Sequence, residues 1–333
     1  MDLEISVIIM DYNRKEYLLS AFKSAYNQTL SKDKYEIIVT KNFKDIKSDE
    51  YLKKHGAKLI FFKEGTYGEQ LVDALKHAKG NIICVLEDDD LFLKNKLTTI
   101  YKLFKKNENL GYVNNARYYI DKKGRVLKNG LNRYERGINF YIKKRHLLST
   151  LRLEKQEPWM NFSSICVKKE ILLKCFNQFK NINFVPDLFV YFASLDSQYD
   201  LMLIDKKLTK YRIHESTSVS VDSYEGFKRA TIKMISAELN LKRPFIKFRR
   251  SEIKKYLKIR IRNQYIYYLI YKGNFRTLVL LNYLKYLPYS FIVNPNGTIL
   301  QGLQVLFYIV SPEKFRRFNY TRTKNYISQI KVK

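Results

Sequence analysis

Ile82, Ile83, Cys84, Val85 and Leu86 run straight into Glu87, Asp88, Asp89 and Asp90, and this junction restricts the chain more than any other stretch. A short apolar run of this kind reads as a buried strand. Four adjacent carboxylates at its end repel one another, so they persist in full solvent contact or around a cation, and hard oxygens suit Mg²⁺ or Mn²⁺. The plainer alternative is a solvated acidic turn that opens the next helix, with one Asp as N-cap and the rest on the positive end of its dipole. The surroundings weigh toward a site, because the 333-residue chain carries +30 and this is its densest negative patch.

Upstream, the apolar run Ile5 to Met10 has the character of a central parallel strand, closed by Asp11, Tyr12 and Asn13. Leu18, Leu19, Phe22, Ala25 and Tyr26 recur at helical spacing within residues 15–27. A strand at Tyr35 to Thr40 ends in Lys41 and Asn42; a helix near 44–54, a strand at 57–62 and a helix near 69–78 lead to the acidic strand. Strict alternation of this kind predicts an α/β fold with a mostly parallel sheet and helices on both faces. Ligands then sit beyond the carboxyl ends of the strands, which gathers residues 11–13, 40–42 and 87–90. No G-x-G-x-x-G and no P-loop is present, which disfavours a Rossmann dehydrogenase and a P-loop phosphotransferase. Further on, a helix is expected over Leu91 to Lys106, and a hairpin over 112–120 and 125–131 around Asp121 to Gly124.

Cys84, Cys166 and Cys175 lie in apolar contexts without C-x-x-C spacing, so they read as reduced core residues of a cytoplasmic protein and not as a zinc site. The start, MDLEISVII, lacks the features of a signal peptide, and no apolar run reaches 18 residues. A pI near 9.8 implies a polyanionic partner.

The segments SVIIMDYNRKEYLLSAFKSAYNQTL, YEIIV, AKGNIICVLEDDDLF, VPDLFVYFASL and YRIHESTSVS together resemble glycosyltransferase family 2, inverting enzymes on the nucleotide-sugar-binding GT-A fold. The resemblance spans about residues 4–220 and implies a nucleotide-sugar donor. It places the metal motif on Glu87 and Asp89, with His214 a further ligand, and the general base on Asp187. It implies donor contacts from Asp11, Tyr12, Asn13, Lys41, Asn42, Asp88, Arg212 and His214, the last two in a Y-R-x-H pattern. Apart from the resemblance, Trp159, the single tryptophan, offers an aromatic face that suits a sugar on the acceptor side, with a core or rim residue as the plainer alternative, and Asn161 is a candidate acceptor contact beside it. The chain departs from the family at Met10-Asp11, where Pro-Thr is usual, at Lys41-Asn42, where an Asp pair often reads the base, and at EQLVDAL, which replaces an A-R-N segment. Asp187 also has an ordinary reading: after Pro186, an acidic residue suits the first turn of a helix.

Residues 222–333 hold 23 Lys and Arg against 5 Asp and Glu, so +18 of the +30 lies there. Ile253, Leu257, Ile261, Tyr265, Tyr268 and Leu269 alternate with Lys254, Lys258 and Arg262, and apolar stretches follow at 275–289 and 299–310. Two domains are therefore expected, a catalytic one over 1–222 and a basic helical one over 223–333. The second suits an anionic membrane surface, on the inner face of which the protein would sit peripherally, with a lipid-linked or membrane-proximal glycan as acceptor; a helical subdomain with a solvated basic face is the plainer alternative. A nucleic-acid-binding protein fits the charge but not the acidic cluster. A metal-dependent nucleotidyltransferase also uses clustered carboxylates, and it would release pyrophosphate.

Overall fold

A computed structural model describes residues 3–127, 138–143, 156–213, 223–293 and 295–331. The chain divides near Ile213 into two compact units.

The first unit opens with β1 (Ile5–Met10), α1 (Leu18–Tyr26), β2 (Tyr35–Lys41), α2 (Ile46–Lys54), β3 (Lys58–Phe61), α3 (Tyr67–His77) and β4 (Ile82–Glu87). Their strands lie in the order β3-β2-β1-β4, all parallel, as the alternating sequence predicts. The register is what builds the site: Met10 pairs with Thr40 on one side and Glu87 on the other, so the carboxyl ends of three strands finish level. Every residue of β1 is buried, because helices cover both faces. Leu18, Ala21, Phe22 and Ala25 of α1 pack into the core with Ile5, Val7 and Ile9. Helix α3 begins on a reciprocal cap: Thr66 Oγ1 accepts from the Glu69 backbone, and the Glu69 carboxylate accepts from the Thr66 backbone. Cys84, Cys166 and Cys175 are free and buried.

The sheet then changes character. It continues with β5 (Leu91–Phe92), α4 (Lys96–Lys106), β6 (Leu110–Ile120), β7 (Phe140–Ile142), β8 (Ile165–Lys168), α5 (Lys169–Lys174), α6 (Phe176–Phe179), α7 (Pro186–Asp196) and β9 (Asp200–Arg212). Strand β8 joins β4 antiparallel, β6 joins β8 antiparallel, and β9 runs parallel to β6 with β5 and β7 antiparallel against it. The helix expected from Leu91 begins only at Lys96, because Leu91 and Phe92 pair with Lys210 and Thr209. The acidic residues therefore do not cap a helix, which removes the plainer reading of the cluster. The expected hairpin is reduced, among the described residues, to a turn with Gly124 at φ +82° and one bridge, Ile120 to Val126; β6 takes its partners from β8 and β9 instead.

Gly80 shows how closely the sheet is approached at β1. A Cβ there would lie 2.5 Å from the Ile5 carbonyl carbon and 2.5 Å from the Ser6 nitrogen, both backbone atoms. Gly80→Ala is therefore expected to destabilise the protein by roughly 1–3 kcal/mol, read as a lower urea midpoint with an unchanged slope.

The second unit holds α8 (Tyr224–Asn240), α9 (Lys242–Ile246), α10 (Ser251–Lys272), α11 (Arg276–Val293), α12 (Pro295–Val310) and α13 (Pro312–Lys331). Its core gathers Phe227, Ile235, Ile266, Leu269, Ile270, Tyr271, Val279, Val305, Tyr308 and Phe315. The buried stripe of α10 differs from the expected one: Ile253, Leu257 and Leu269 are inside as read, but Tyr265 is exposed and Tyr256, Ile266 and Ile270 are buried. The expected stripe steps by four at 253, 257, 261 and 265, and each step overshoots the 3.6-residue turn by about 40°, so its far end leaves the buried face.

Candidate active site

The level strand ends put Asp11, Lys41 and Glu87 side by side, and the loops beyond them supply the rest. After β4 the chain turns sharply, with the Asp90 amide donating to the Glu87 carbonyl at 3.1 Å. This turn is clamped from the far side of the sheet. Asp90 is fully buried and accepts from Asn161 Nδ2 at 2.7 Å and from the Arg212 amide at 2.9 Å. Arg212 Nε in turn donates to the Asp89 carbonyl at 2.6 Å, and its Nη1 donates to the Asp121 and Lys122 carbonyls at 3.0 and 2.9 Å. Its guanidinium lies over the Tyr17 ring at 4.4 Å.

Asp88 and Asp89 face a cation supplied by the first loop. Arg14 grips Asp88 with Nε at 2.6 Å and Nη2 at 2.7 Å, and the same Nη2 reaches Asp89 at 2.8 Å. Such two-pronged contacts are the strong form of this interaction. One guanidinium does not balance the cluster. Burial, then the neighbouring Asp89, pushes Asp90 up to about 7. Burial pushes Asp88 up to about 6, with Asp89 adding to it and Arg14 opposing. Glu87 is raised well above the usual carboxylate range by burial and by Asp90, Asp89, Asp187 and Asp88. Asp11 is buried at the end of β1; burial and Asp88 push it up to about 8, against the Arg14 amide and Lys41.

Asp187 lies in the first turn of α7, directly after Pro186, and its Oδ1 accepts from the Leu188 amide at 2.8 Å. It is also close enough to Glu87 and Tyr67 to raise both. Burial pushes Asp187 itself up to about 6, with the backbone amides of Leu188, Asp187 and Asn161 and the charge of Arg117 drawing it down. Arg117 is buried and held by Glu157 at 3.4 Å and the Met160 carbonyl at 3.1 Å. Asn13, Glu157, Asn161 and Val185 all have positive φ. Asn tolerates this, but Val185, at φ +51° before α7, is a strained β-branched residue, and strain of this kind concentrates around ligand sites.

Other residues expected at the site fall in different places. Tyr12 and Asn13 stand at the surface, and Asn13 exchanges two hydrogen bonds with Asn42, each 2.8 Å. Lys41 is buried, ion-paired with Asp49 and lying over Phe43, and its charge still reaches Asp11. Asn161 is buried: its Nδ2 donates to Asp90 at 2.7 Å and its Oδ1 accepts from Ser164 at 2.8 Å. Arg212 is also buried, with its guanidinium on backbone carbonyls. Trp159 is half-buried with its ring 5.8 Å from Tyr191. His214 lies outside the described residues.

Sequence reasoning missed Arg14, Arg117, Tyr67, and Gln70, whose buried Nε2 ties the Asp11 and Thr40 carbonyls at 2.9 and 3.1 Å. The signal for Arg14 was present, since a buried acidic cluster demands a cation and the adjoining loop carries one.

Among the described residues, no three His, Cys, Asp or Glu side chains form a ready-made metal cage. The donor chemistry still fits a hard ion held in the way Mg²⁺ usually is, by one or two carboxylates plus substrate phosphates, since Glu87 and Asp89 supply oxygens beside an excess of negative charge.

Residues 6–163 match the family described as Glycosyl transferase family 2. These residues form a family 2 glycosyltransferase domain. Among curated relatives, an uncharacterized glycosyltransferase of Methanocaldococcus jannaschii, MJ1057, is 29% identical over 218 residues, covering 63% of this chain and 70% of that protein. The poly(ribitol-phosphate) beta-glucosyltransferase of Bacillus spizizenii is 29% identical over 113 residues, which span 32% of this chain and only 18% of that one. Among solved structures, S. aureus TarS 1-349 in complex with UDP-GlcNAc has a TM-score of 0.56 at 15% identity, covering 98% of this chain and 92% of that one. The mannosyltransferase PcManGT of Pyrobaculum calidifontis, in complex with GDP-Man and Mn²⁺, has a TM-score of 0.53 at 13% identity over 99% and 86% of the two chains. The family 2 domain thus has the GT-A fold expected of it.

Proposed function

We propose that this family 2 glycosyltransferase moves a sugar from a nucleoside-diphosphate sugar to an acceptor hydroxyl with inversion at the anomeric carbon. The observation that carries the reading is the placement of Asp187, a partly buried carboxyl at the start of α7, within electrostatic reach of Glu87 at the end of β4. In this reading Asp187 accepts the proton of the acceptor hydroxyl as that oxygen bonds the anomeric carbon. The bond to the diphosphate oxygen breaks on the opposite face and its electron pair leaves with the nucleoside diphosphate. Glu87 and Asp89 would hold Mg²⁺ or Mn²⁺, which when bound offsets the charge developing on the diphosphate. Asp90, Asn161 and Arg212 act through position, fixing the turn that presents the two carboxylates. Tyr12, Asn13 and Asn42 remain at the mouth for the donor's nucleoside, and Trp159 for the acceptor. The basic second unit supports an acceptor that is lipid-linked or membrane-proximal.

UDP-GlcNAc, UDP-glucose and GDP-mannose are the first donors to try, each with Mn²⁺ and with Mg²⁺. Release of a nucleoside diphosphate that stops on chelation supports the reading. Release of pyrophosphate would instead mark a nucleotidyltransferase.

A further inference from the structure

Helix α12 is built inside out. Its residues facing the second unit's core include Thr298 and Gln301, 4% and 7% exposed, beside Val305 and Tyr308. Gln304 turns the same way, accepting from the Tyr267 hydroxyl at 2.5 Å. Its outward residues are Ile299, Leu300, Leu303, Leu306, Phe307 and Val310, with Leu303 at 60% and Val310 at 78% exposure. The spacing 299, 303, 306, 310 is one continuous stripe along the helix. A helix that faces water places its polar residues outward; this one does the reverse, and no large leucine ridge is stable in water without cost.

The ridge does not end with α12. Helix α11, packed against it, adds exposed Leu278, Leu281 and Leu284. Phe318 of α13, also exposed, has its ring 6.0 Å from Phe307. Exposed Lys314 and Arg322 lie one turn to either side of Phe318. From Arg276 to the end the chain has nine Lys and Arg and a single acid, Glu313.

Two occupants could cover such a surface, a second copy of the chain or a lipid bilayer. Charge separates them. Two copies would bring together surfaces of the same strong positive sign, whereas a bilayer rich in anionic headgroups complements the rim while its acyl boundary takes the leucines. Among the described residues no helix is long and apolar enough to cross a membrane. We infer that the α11–α12 ridge, continued through Phe318, is a shallow insertion surface for an anionic bilayer, with Lys314 and Arg322 on the phosphates. This deepens the membrane-proximal acceptor reading, and its test needs no sugar transfer, so either can fail alone.

The test is flotation of the full chain with vesicles of phosphatidylglycerol and phosphatidylcholine, against phosphatidylcholine alone. The wild-type chain is expected to float with the anionic vesicles and to be only partly released by high salt, since salt screens the rim and leaves the leucines inserted. Leu303→Glu with Leu306→Glu is expected to lower the partitioning by at least about tenfold, from lost apolar burial and added charge. Lys314→Gln should lower it by a few-fold and reduce the salt dependence. The altered positions are exposed, so the thermal midpoint should hold; if the double variant fails to fold, Val310→Glu alone replaces it. The inference is overturned if the wild type does not float, if the Glu variants float equally, or if they turn a dimer into a monomer while vesicle binding persists.

Discussion

Asp187→Asn is expected to lower sugar transfer by about 10² to 10⁴ while donor affinity stays near that of the wild type and the fold is kept. The amide keeps the size of the carboxyl and can still accept from the Leu188 amide that Asp187 now holds at 2.8 Å, so the start of α7 is preserved. It cannot take a proton. The competing role, favouring the positive end of a helix, is worth only about 0.3 to 1 kcal/mol, and losing it would move the melting temperature rather than the rate. The pH profile separates the roles further. Burial pushes Asp187 up to about 6, so kcat/KM of the wild type should fall as pH drops through that value, and the residual activity of the variant should lose that limb. For stability the sign is opposite. A carboxyl with a raised folded-state pKa contributes stability below its unfolded value near 4 that is lost as pH rises through about 6. The Asn variant is thus expected to gain relative to the wild type across that window. Transfer within a few-fold of wild type would return Asp187 to the helix-start role alone.

Asp89→Ala is the second large effect. Removing an outer partner of a metal ligand typically costs about 10- to 100-fold in metal affinity, and removing a ligand outright should cost more. Calorimetric titration of nucleoside diphosphate in the presence of Mn²⁺ should therefore show Mn²⁺-dependent binding at least about 100-fold weaker. The fold should tolerate the change, because Arg14 keeps both of its contacts to Asp88 and the turn is held by Asp90, not by the Asp89 side chain. An unchanged Mn²⁺-dependent affinity would show that the ion sits elsewhere.

Local pattern carries the first half of this fold well. Continuous apolar runs at β1 and β4 and the helical repeat of α1 declare strands buried on both faces, and parallel pairing then follows from the crossover helices. The second half depends on pairings that no window of sequence contains. Leu91 and Phe92 look like the start of α4 and become a strand only because β9, more than a hundred residues on, offers them an edge. The same divide runs through the site. The carboxylates stand together in the chain and were legible. Their counter-ion, Arg14, is 74 residues away from Asp88, and Asn161 and Arg212 reach Asp90 across 71 and 122 residues.

The strained backbone at Val185 also bears on how this enzyme would respond to engineering. A residue held in a sparsely populated conformation costs on the order of 1 to 3 kcal/mol, and here it adjoins the helix that carries Asp187. Glycine accepts that conformation freely, so selection for heat resistance alone would settle on Val185 and on Glu157 among the first positions. The same exchange would loosen the entry to α7. On the proposed role of Asp187, variants chosen for survival at high temperature are then expected to lose turnover.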